Sequence, residues 1–284
     1  MSHITSDRWR GYGLAIGVHV LVVLVWHFWV ELWQVPRYIM PTPLATIMTI
    51  TEDYGWWYNT WITTQEVFLG YFMALVAGIG LALVFSWWRL LNQAFMPLIV
   101  SLNMIPKVAL GPLFIVWFSY GVMSNAIIAF AICFLPIMLT TERGLREVEP
   151  ELLDLVRSLK GSRWQIFTKI QFPGALPHIF SGMKVAAVLA VAGAIVGEFI
   201  ASDRGLGYLM LQVQVSMDTP AMFMAVIMIT LVGVALYSLV LLLERSWWSA
   251  GGRADAACPK PSSASATSPR PTARVEETRL PSPT

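Results

Sequence analysis

The segment Glu147–Pro177 reads EVEPELLDLVRSLKGSRWQIFTKIQFPGALP and is the one long charged segment in an otherwise apolar chain. Pro150, directly after Glu149, predicts a helix start, because proline at the first helical position loses no hydrogen bond and acidic residues favour the positive end of the helix dipole. An apolar stripe then recurs at helical spacing: Leu152, Leu155, Val156 and Leu159. The first half of the segment is therefore predicted to be a short amphipathic helix.

The second half of this segment predicts a second helix. We expect Gly161 to adopt the left-handed conformation that ends the first helix. Ser162 with Gln165 matches a capping box, which opens a helix, and Pro173 and Pro177 are expected to end it. Two short helices joined at a glycine form a rigid element that another protein can bind.

Composition places the chain in the membrane. Hydrophobic residues make up 56% of it and charged residues 13%, with a mean hydropathy of +0.63, whereas soluble domains carry about 25% charged residues. A soluble domain of this size could not bury several helices that are apolar on all sides. A span needs roughly 20 apolar residues, and six are predicted, at 11–30, 64–86, 96–118, 124–141, 179–200 and 221–243.

The placement of lysine and arginine predicts the orientation, because positive charges near span ends stay in the cytoplasm. Six of them lie between spans four and five, whereas the loops on the opposite side carry only Arg37 and Arg204. We therefore predict a cytoplasmic N-terminus at 1–10, a transmembrane domain at 11–248 and a disordered cytoplasmic tail at 249–284, which is rich in Ser, Pro and Ala. No small-residue cleavage site follows span one, so it is expected to be an anchor and not a cleaved signal.

Catalytic motifs are absent from the sequence. It has no phosphate-binding loop, so the chain is not expected to hydrolyse nucleotide itself, and no cofactor or nucleic-acid partner is expected. His19 and His27 could share a face of span one, but two ligands are too few for a metal site, and packing histidines are the preferred interpretation.

Four ionisable residues lie within or near the spans. Lys184 and Glu66 are close enough to span ends to act as interfacial anchors, and Glu198 is expected to form a gate or an inter-helix hydrogen bond. Lys107 lies in a span interrupted by prolines, and a broken helix at membrane depth is tolerated where it lines a cavity. It is expected either to face a solute pathway or to lie near the cytoplasmic interface. The predicted pathway residues are Asn103, Lys107 and Glu198.

Several stretches resemble one transporter family. Asp154-Leu155-Val156, Ile170, Phe172 and Pro173 are similar to the E-A-A loop of ABC importer permeases. Residues 105–113, 196–201 and 205–208 resemble the nitrate, sulfonate, taurine and bicarbonate importer group, and the resemblance covers most of residues 36 to 243. Two positions depart from that family: Lys160 stands where it has glycine, and Glu66 stands where many relatives carry arginine.

The resemblance implies an all-α, six-span, MetI-like type I importer fold with a cytoplasmic coupling helix between spans four and five. It implies a permease subunit of the bacterial inner membrane that carries a small solute, with an anion such as nitrate, sulfonate or taurine expected. The implied partners are two ATP-binding cassette subunits, an extracytoplasmic binding protein and a second permease copy. The implied coupling residues are Glu151, Asp154, Leu155, Arg157, Ser158, Lys160, Gly161, Ser162, Ile170 and Pro173.

One alternative is a stand-alone secondary transporter or channel that works without ATP. Such proteins often contain inverted repeats with broken helices in corresponding positions. This sequence has one proline-broken span without a convincing second copy, which favours the importer subunit.

Overall fold

The computed structural model describes residues 2–147, 156 and 158–255, and this part of the chain is helical, without strands. The α-helices are α1 (Ser2–Leu32), α2 (Pro43–Met48), α3 (Trp56–Trp87), α4 (Arg89–Asn103), α5 (Gly111–Phe118), α6 (Val122–Arg146), α7 (Arg163–Ile166), α8 (Phe172–Ala201), α9 (Leu206–Val215) and α10 (Thr219–Asp255). Short 3₁₀ turns lie at Thr49–Thr51 and Lys107–Leu110, and a π-helical turn lies at Phe167–Gln171. The predicted all-α class is confirmed.

Four helices are long and apolar enough to cross a membrane: Trp56–Trp87, Val122–Arg146, Arg163–Ile200 and Thr219–Trp248. They contain the predicted spans 64–86, 124–141, 179–200 and 221–243, and each extends beyond the predicted bounds. The apolar part of α1, Ile16–Leu32, is shorter than these four. The described residues thus contain four or five candidate spans, and the sixth stays a prediction.

The predicted span 96–118 is two helices, as its prolines indicated. Leu90–Asn103 and Lys107–Phe118 are bent by 81° relative to each other. Pro106 disfavours the helical conformation of the residue before it and has no N–H to donate, so α4 ends there. Pro112 is tolerated because it lies in the first turn of α5. Lys107 therefore lies at the break.

The centre of the bundle is formed by α3, α6 and α8, which pack closely because small residues face one another. A Cβ added to Gly70 on α3 would lie 2.7 Å from the Ala129 Cβ on α6, and one added to Gly193 on α8 would lie 2.7 Å from the Ala129 Cα. Ala186 and Ala190 on α8 are fully buried. Small residues at such contacts let membrane helices approach closely and gain dispersion energy.

The prediction that Pro173 and Pro177 end a helix is wrong. Pro173 lies in the first turn of α8, and Pro177 lies inside the helix. The preceding π-helical turn, Phe167–Gln171, widens the backbone just before Pro173 and gives its ring space that a regular α-helix lacks. The chain thus continues from α7 into a membrane-spanning helix.

The first 244 residues form one compact unit, and a second unit begins at Arg245. In the second unit the described residues are helical as far as Asp255. The predicted disorder of the tail 249–284 stays a prediction. Residues 256–284 lie outside the described residues.

Candidate functional site

Two buried carboxyl groups meet near one end of the bundle. Glu66 on α3 is 0% exposed and Glu198 on α8 is 1% exposed, and the two groups lie within hydrogen-bonding contact of each other. Asn125 on α6 donates from Nδ2 to Glu66 Oε1 at 2.8 Å. Thr63 on α3 donates from Oγ1 to Glu198 Oε1 at 2.5 Å. We name Thr63, Glu66, Asn125 and Glu198 the carboxyl cluster.

The Gly-Leu-Gly-Tyr run at 205–208 begins α9 and is bound to this cluster through its backbone. The Gly205 amide donates to Asn59 Oδ1 at 2.9 Å, and the Leu206 amide donates to Thr63 Oγ1 at 2.8 Å. The Gly207 amide donates to Glu198 Oε2. Glu198 thus accepts a donor from the first turn of α9, where the helix dipole favours negative charge.

Glycine is required at both positions of this run. Gly205 has φ +103°, a conformation that other residues rarely adopt. A Cβ on Gly207 would lie 2.8 Å from Glu198 Oε2. This run thus begins α9 and holds Glu198 through the Gly207 amide.

Sequence reasoning missed Asn59, Thr63 and Asn125 as members of this arrangement. A signal was present on α3, since Asn59, Thr63 and Glu66 recur at i, i+4 and i+7, which places three polar residues on one face of an apolar helix. Asn125 gave no such signal, because its partners lie far away in the sequence.

The structure bears on three expectations about intramembrane charges. The inter-helix hydrogen bond expected of Glu198 is present. Glu66 was expected at the interface as an anchor, which is wrong, because its side chain is fully buried and accepts a hydrogen bond from Asn125 on α6. Lys184 pairs with Glu244 at 2.8 Å, and its role as an interfacial anchor stays a prediction.

Two of the three predicted pathway residues lie together at the break after α4. The Lys107 Nζ donates to the Asn103 carbonyl at 2.8 Å and to the Asn103 Oδ1. Among the described residues, no hydrogen bond joins either of them to Glu198. A Cβ on Gly111 would lie 2.6 Å from Ile200 Cδ1, so α5 begins against the end of α8 that carries Glu198.

The predicted coupling residues fall partly outside the described part of the chain, where Glu151, Asp154, Leu155 and Arg157 lie. The remainder, Ser158, Lys160, Gly161, Ser162, Ile170 and Pro173, is described. Ser158, Lys160 and Gly161 lie before α7, and Ser162 caps its N-terminus. Ile170 lies in the π-helical turn, and Pro173 lies in the first turn of α8.

The helical turn before α7 ends at Lys160. The left-handed conformation expected at Gly161 is therefore found one residue earlier. Lys160 has φ +58°, whereas Gly161 is not left-handed. The Gly161 amide donates to the Val156 carbonyl at 2.9 Å, which is the six-residue hydrogen bond of a Schellman motif. In that motif the residue before the donor amide adopts the left-handed conformation, and here that residue is Lys160.

Gly161 is required for a different reason. A Cβ there would lie 2.5 Å from Val156 Cγ1 and 3.0 Å from the Val156 carbonyl oxygen. The close approach of the chain to the preceding turn therefore depends on glycine.

The capping box predicted at Ser162 is confirmed. The Ser162 amide donates to Gln165 Oε1 at 2.8 Å, and the Gln165 amide donates to Ser162 Oγ at 3.2 Å. The helix that follows carries aromatic residues against the end of α3. Ring centroids are 5.9 Å apart for Trp87 and Trp164, 5.6 Å for Trp87 and Phe167, and 6.1 Å for Phe167 and Phe172. We name Trp87, Trp164, Phe167 and Phe172 the aromatic cluster.

Comparison with known proteins decides the family. The sequence model of the family described as "binding-protein-dependent transport system inner membrane component" matches residues 69–249, more than half of the chain. The chain belongs to this family. It is a multi-pass permease of the ABC importer type, and its family is not a class of enzymes.

Three relatives match the permease over most of its length. A probable ABC transporter permease protein of Haemophilus influenzae is 32% identical, over 83% of this chain and 96% of its own. A riboflavin transport system permease protein of Chloroflexus aurantiacus is 33% identical, over 84% and 90%. A formylaminopyrimidine transport permease protein of Halalkalibacterium halodurans is 28% identical, over 79% and 90%. Further matches at 25–28% identity are named for aliphatic sulfonates, taurine and nitrate.

A solved structure supports the fold. One chain of the methionine ABC transporter MetNI in an inward-facing conformation covers 68% of the permease and 99% of its own length, with a TM-score of 0.56 and 18% identity. The MetI-like fold expected from the resemblance is confirmed.

Proposed function

We propose that the permease forms the solute pathway as one of two copies, with an ATP-binding subunit docked on each copy at residues 150–173. Hydrolysis of ATP would take place in those separate subunits. An extracytoplasmic binding protein would deliver solute at the opposite end, where α3 begins and α8 ends. Support comes from the family, whose description names dependence on a binding protein.

The observation that carries the docking proposal is the contact between the segment and the bundle. The aromatic cluster joins α7 and the π-helical turn to Trp87, the last residue of α3. A cavity of about 520 Å³ beside it is lined by Trp87, Gly161 and Arg163, among others. A subunit bound to this segment would therefore contact a part of the chain that packs against α3 and continues into α8.

The geometry of α3 supports a rigid transmission. Glu66 and Trp87 are 21 positions apart on one continuous helix, which corresponds to about 30 Å at 1.5 Å per residue. Rigid-body rotation of packed helices is a common way to pass such a movement between distant sites. Nucleotide binding would thereby change access at the end that carries the carboxyl cluster.

The proposed orientation places both termini and the docking segment in the cytoplasm, with six spans. Single cysteines at Ser162 and Ser216, in a background without Cys133 and Cys258, test this topology. Ser162 should react with an impermeant thiol reagent only from the cytoplasmic side and Ser216 only from the outside. Reaction of both from one side would contradict the six-span arrangement.

For the solute, we propose a small heteroaromatic molecule. The relatives named for riboflavin and formylaminopyrimidine are 33% and 28% identical over 84% and 79% of this chain, whereas those named for aliphatic sulfonates and taurine are 26% and 25% identical over 79% and 71%. A lysine on the pathway would favour the anion that the resemblance implies, but the Lys107 ammonium group already donates two hydrogen bonds to Asn103. An anion as solute remains the alternative that substitution of Lys107 tests.

Co-purification tests the assignment to an importer. The tagged permease, extracted from its own cell membrane, should carry an ATP-binding subunit in equal molar amount. Uptake of radiolabelled riboflavin and of radiolabelled taurine into proteoliposomes, each with its cognate binding protein candidate, then distinguishes the two solute classes. A permease that purifies alone and conducts solute without ATP would support the stand-alone transporter instead.

A further inference from the structure

The carboxyl cluster contains two buried acidic groups and no basic partner. Ion pairs within the described residues involve other acids: Glu31, Glu142, Glu147, Asp203 and Glu244. Arg204, on the loop between α8 and α9, is bonded through Nε to Asp203 and through Nη1 to Tyr58. Neither Glu66 nor Glu198 is neutralised by the described part of the protein.

Two oxygen atoms of the cluster are also without a donor. Glu66 Oε2 and Asn125 Oδ1 are buried and accept no hydrogen bond from the described residues. Both side chains are at most 1% exposed. Buried acceptors of this kind nearly always have a partner in a folded protein, because an unpaired polar group has lost its water without replacement.

A route from outside reaches the cluster. Glu66 lies on the wall of a cavity of about 220 Å³ whose other polar lining residues are Tyr120, Ser202, Asp203 and Arg204. Tyr208 on α9 and Asn59 on α3 adjoin the cluster as well. The cavity is large enough for water and a small ion, since one water occupies about 30 Å³ of liquid.

The two buried carboxyl groups of Glu66 and Glu198 would be stabilised by one positive charge between them. Two carboxylates in contact and away from water repel each other strongly, and an unpaired buried charge is among the most destabilising features of a folded protein. Glu198 has its own donors in Thr63 and Gly207. Glu66 accepts one hydrogen bond, from Asn125 to Oε1, and its buried Oε2 accepts none from the described residues.

We propose that the carboxyl cluster binds one monovalent cation between Glu66 and Glu198. The cation is either a proton shared by the two carboxyl groups or a sodium ion that the orphaned oxygens of Glu66 and Asn125 help to ligate. In either form it holds Glu198 against the Gly205–Tyr208 turn and so keeps α9 joined to α3 and α8. This site is independent of the ATP-driven function proposed above, because it acts on the stability of the permease itself.

Infrared spectroscopy of the assembled transporter in lipid nanodiscs distinguishes the two cations. A shared proton gives the carbonyl stretch of a protonated carboxyl group at neutral pH without sodium. Glu66→Gln and Glu198→Gln should each remove that band. Asp53→Asn is the matched control, because Asp53 is an exposed acid at the same end of the bundle, and it should leave the band unchanged.

A bound sodium ion gives a different result. The protonated-carboxyl band is then absent from the wild type in sodium buffer, and replacing choline by sodium at constant ionic strength raises the melting temperature by several degrees. Glu66→Gln should lose that response. If the wild type shows neither the band nor a sodium response, the proposal is overturned, and this outcome does not depend on whether any variant folds.

Discussion

Thr63 and Glu198 are joined by a 2.5 Å hydrogen bond that crosses from α3 to α8. The same Thr63 hydroxyl accepts a hydrogen bond from the Leu206 amide at 2.8 Å. One hydroxyl therefore connects both long helices to the first turn of α9. Because the hydroxyl is fully buried, water cannot replace either bond if the side chain is changed.

We expect Thr63→Val to destabilise the permease by about 2 kcal/mol, since it leaves a buried carboxyl oxygen and a buried amide without a partner. The measurement is the free energy of unfolding in mild detergent. Thr64→Val is the matched control, because the Thr64 hydroxyl bonds only the carbonyl of Thr60, one turn earlier in the same helix. Equal losses for the two variants would contradict the bridging role of Thr63.

At the docking segment we expect Lys160→Gly to strengthen the helix end by about 1 kcal/mol, because a side chain in the left-handed conformation is strained by that amount. Hydrogen exchange at the Gly161 amide, which bonds the Val156 carbonyl, should slow by several-fold. Lys160→Ala keeps the strain and should not slow exchange. An equal effect of alanine would mean that the lysine charge, and not the backbone, limits this turn.

A pH-dependent contact joins the loops before α3 and α10. The Tyr54 hydroxyl donates to Asp218 Oδ2, and this hydrogen bond, followed by burial and the Asp218 charge, raises the pKa of Tyr54 to about 12. A raised folded-state pKa stabilises the protein fully below the unfolded value of about 10, and this stabilisation is lost as pH rises towards 12.

Tyr54→Phe should therefore be less stable than the wild type at pH 8, and the difference should shrink between pH 10 and 12. Melting temperatures of the two proteins across that range give the measurement. Tyr38→Phe is the control, since Tyr38 is 65% exposed and its carbonyl, not its hydroxyl, accepts from Thr219. A constant difference at all pH values would argue against the Tyr54–Asp218 bond.

Lys107→Met tests whether the break after α4 lines the pathway. Because an ammonium group in lipid costs about 2.5 to 3.5 kcal/mol on insertion scales, we expect Lys107 to face the pathway or its mouth, and uptake should fall. A larger loss for taurine than for riboflavin would favour an anionic solute. Unchanged uptake kinetics for both would make Lys107 an interfacial residue and remove the argument for an anion.

Much of the fold could be predicted from the sequence, because the signals were local or periodic. Long apolar runs gave α3, α6, α8 and α10, and the prolines around Lys107 gave the broken helix. The Ser162–Gln165 capping box needs only four residues, and it was also correct. Patterns of this length depend on the backbone of one segment and are visible without knowledge of its neighbours.

The sequence-based predictions were wrong or incomplete where contacts with distant parts of the chain determine a residue's environment or conformation. Glu66 resembled an anchor because its distance from the helix end was known while its partners on α6 and α8 were not. Lys160 was not expected in the left-handed conformation, because propensity assigns that conformation to Gly161, whereas the close approach to Val156 needs glycine one position later. Pro173 does not end its helix, because a π-helical turn precedes it.

ATP-driven uptake tests the central claim, that the permease is coupled to separate ATPases through residues 150–173. The measurement compares wild type and Leu155→Pro in proteoliposomes that contain the co-purified ATP-binding subunits and the binding protein. We predict that the wild type accumulates solute only with ATP inside the compartment where those subunits lie, and that Leu155→Pro abolishes both uptake and stimulated ATP hydrolysis while remaining in the membrane. Wild-type rates in Leu155→Pro, or uptake by the wild type without ATP, would contradict the account.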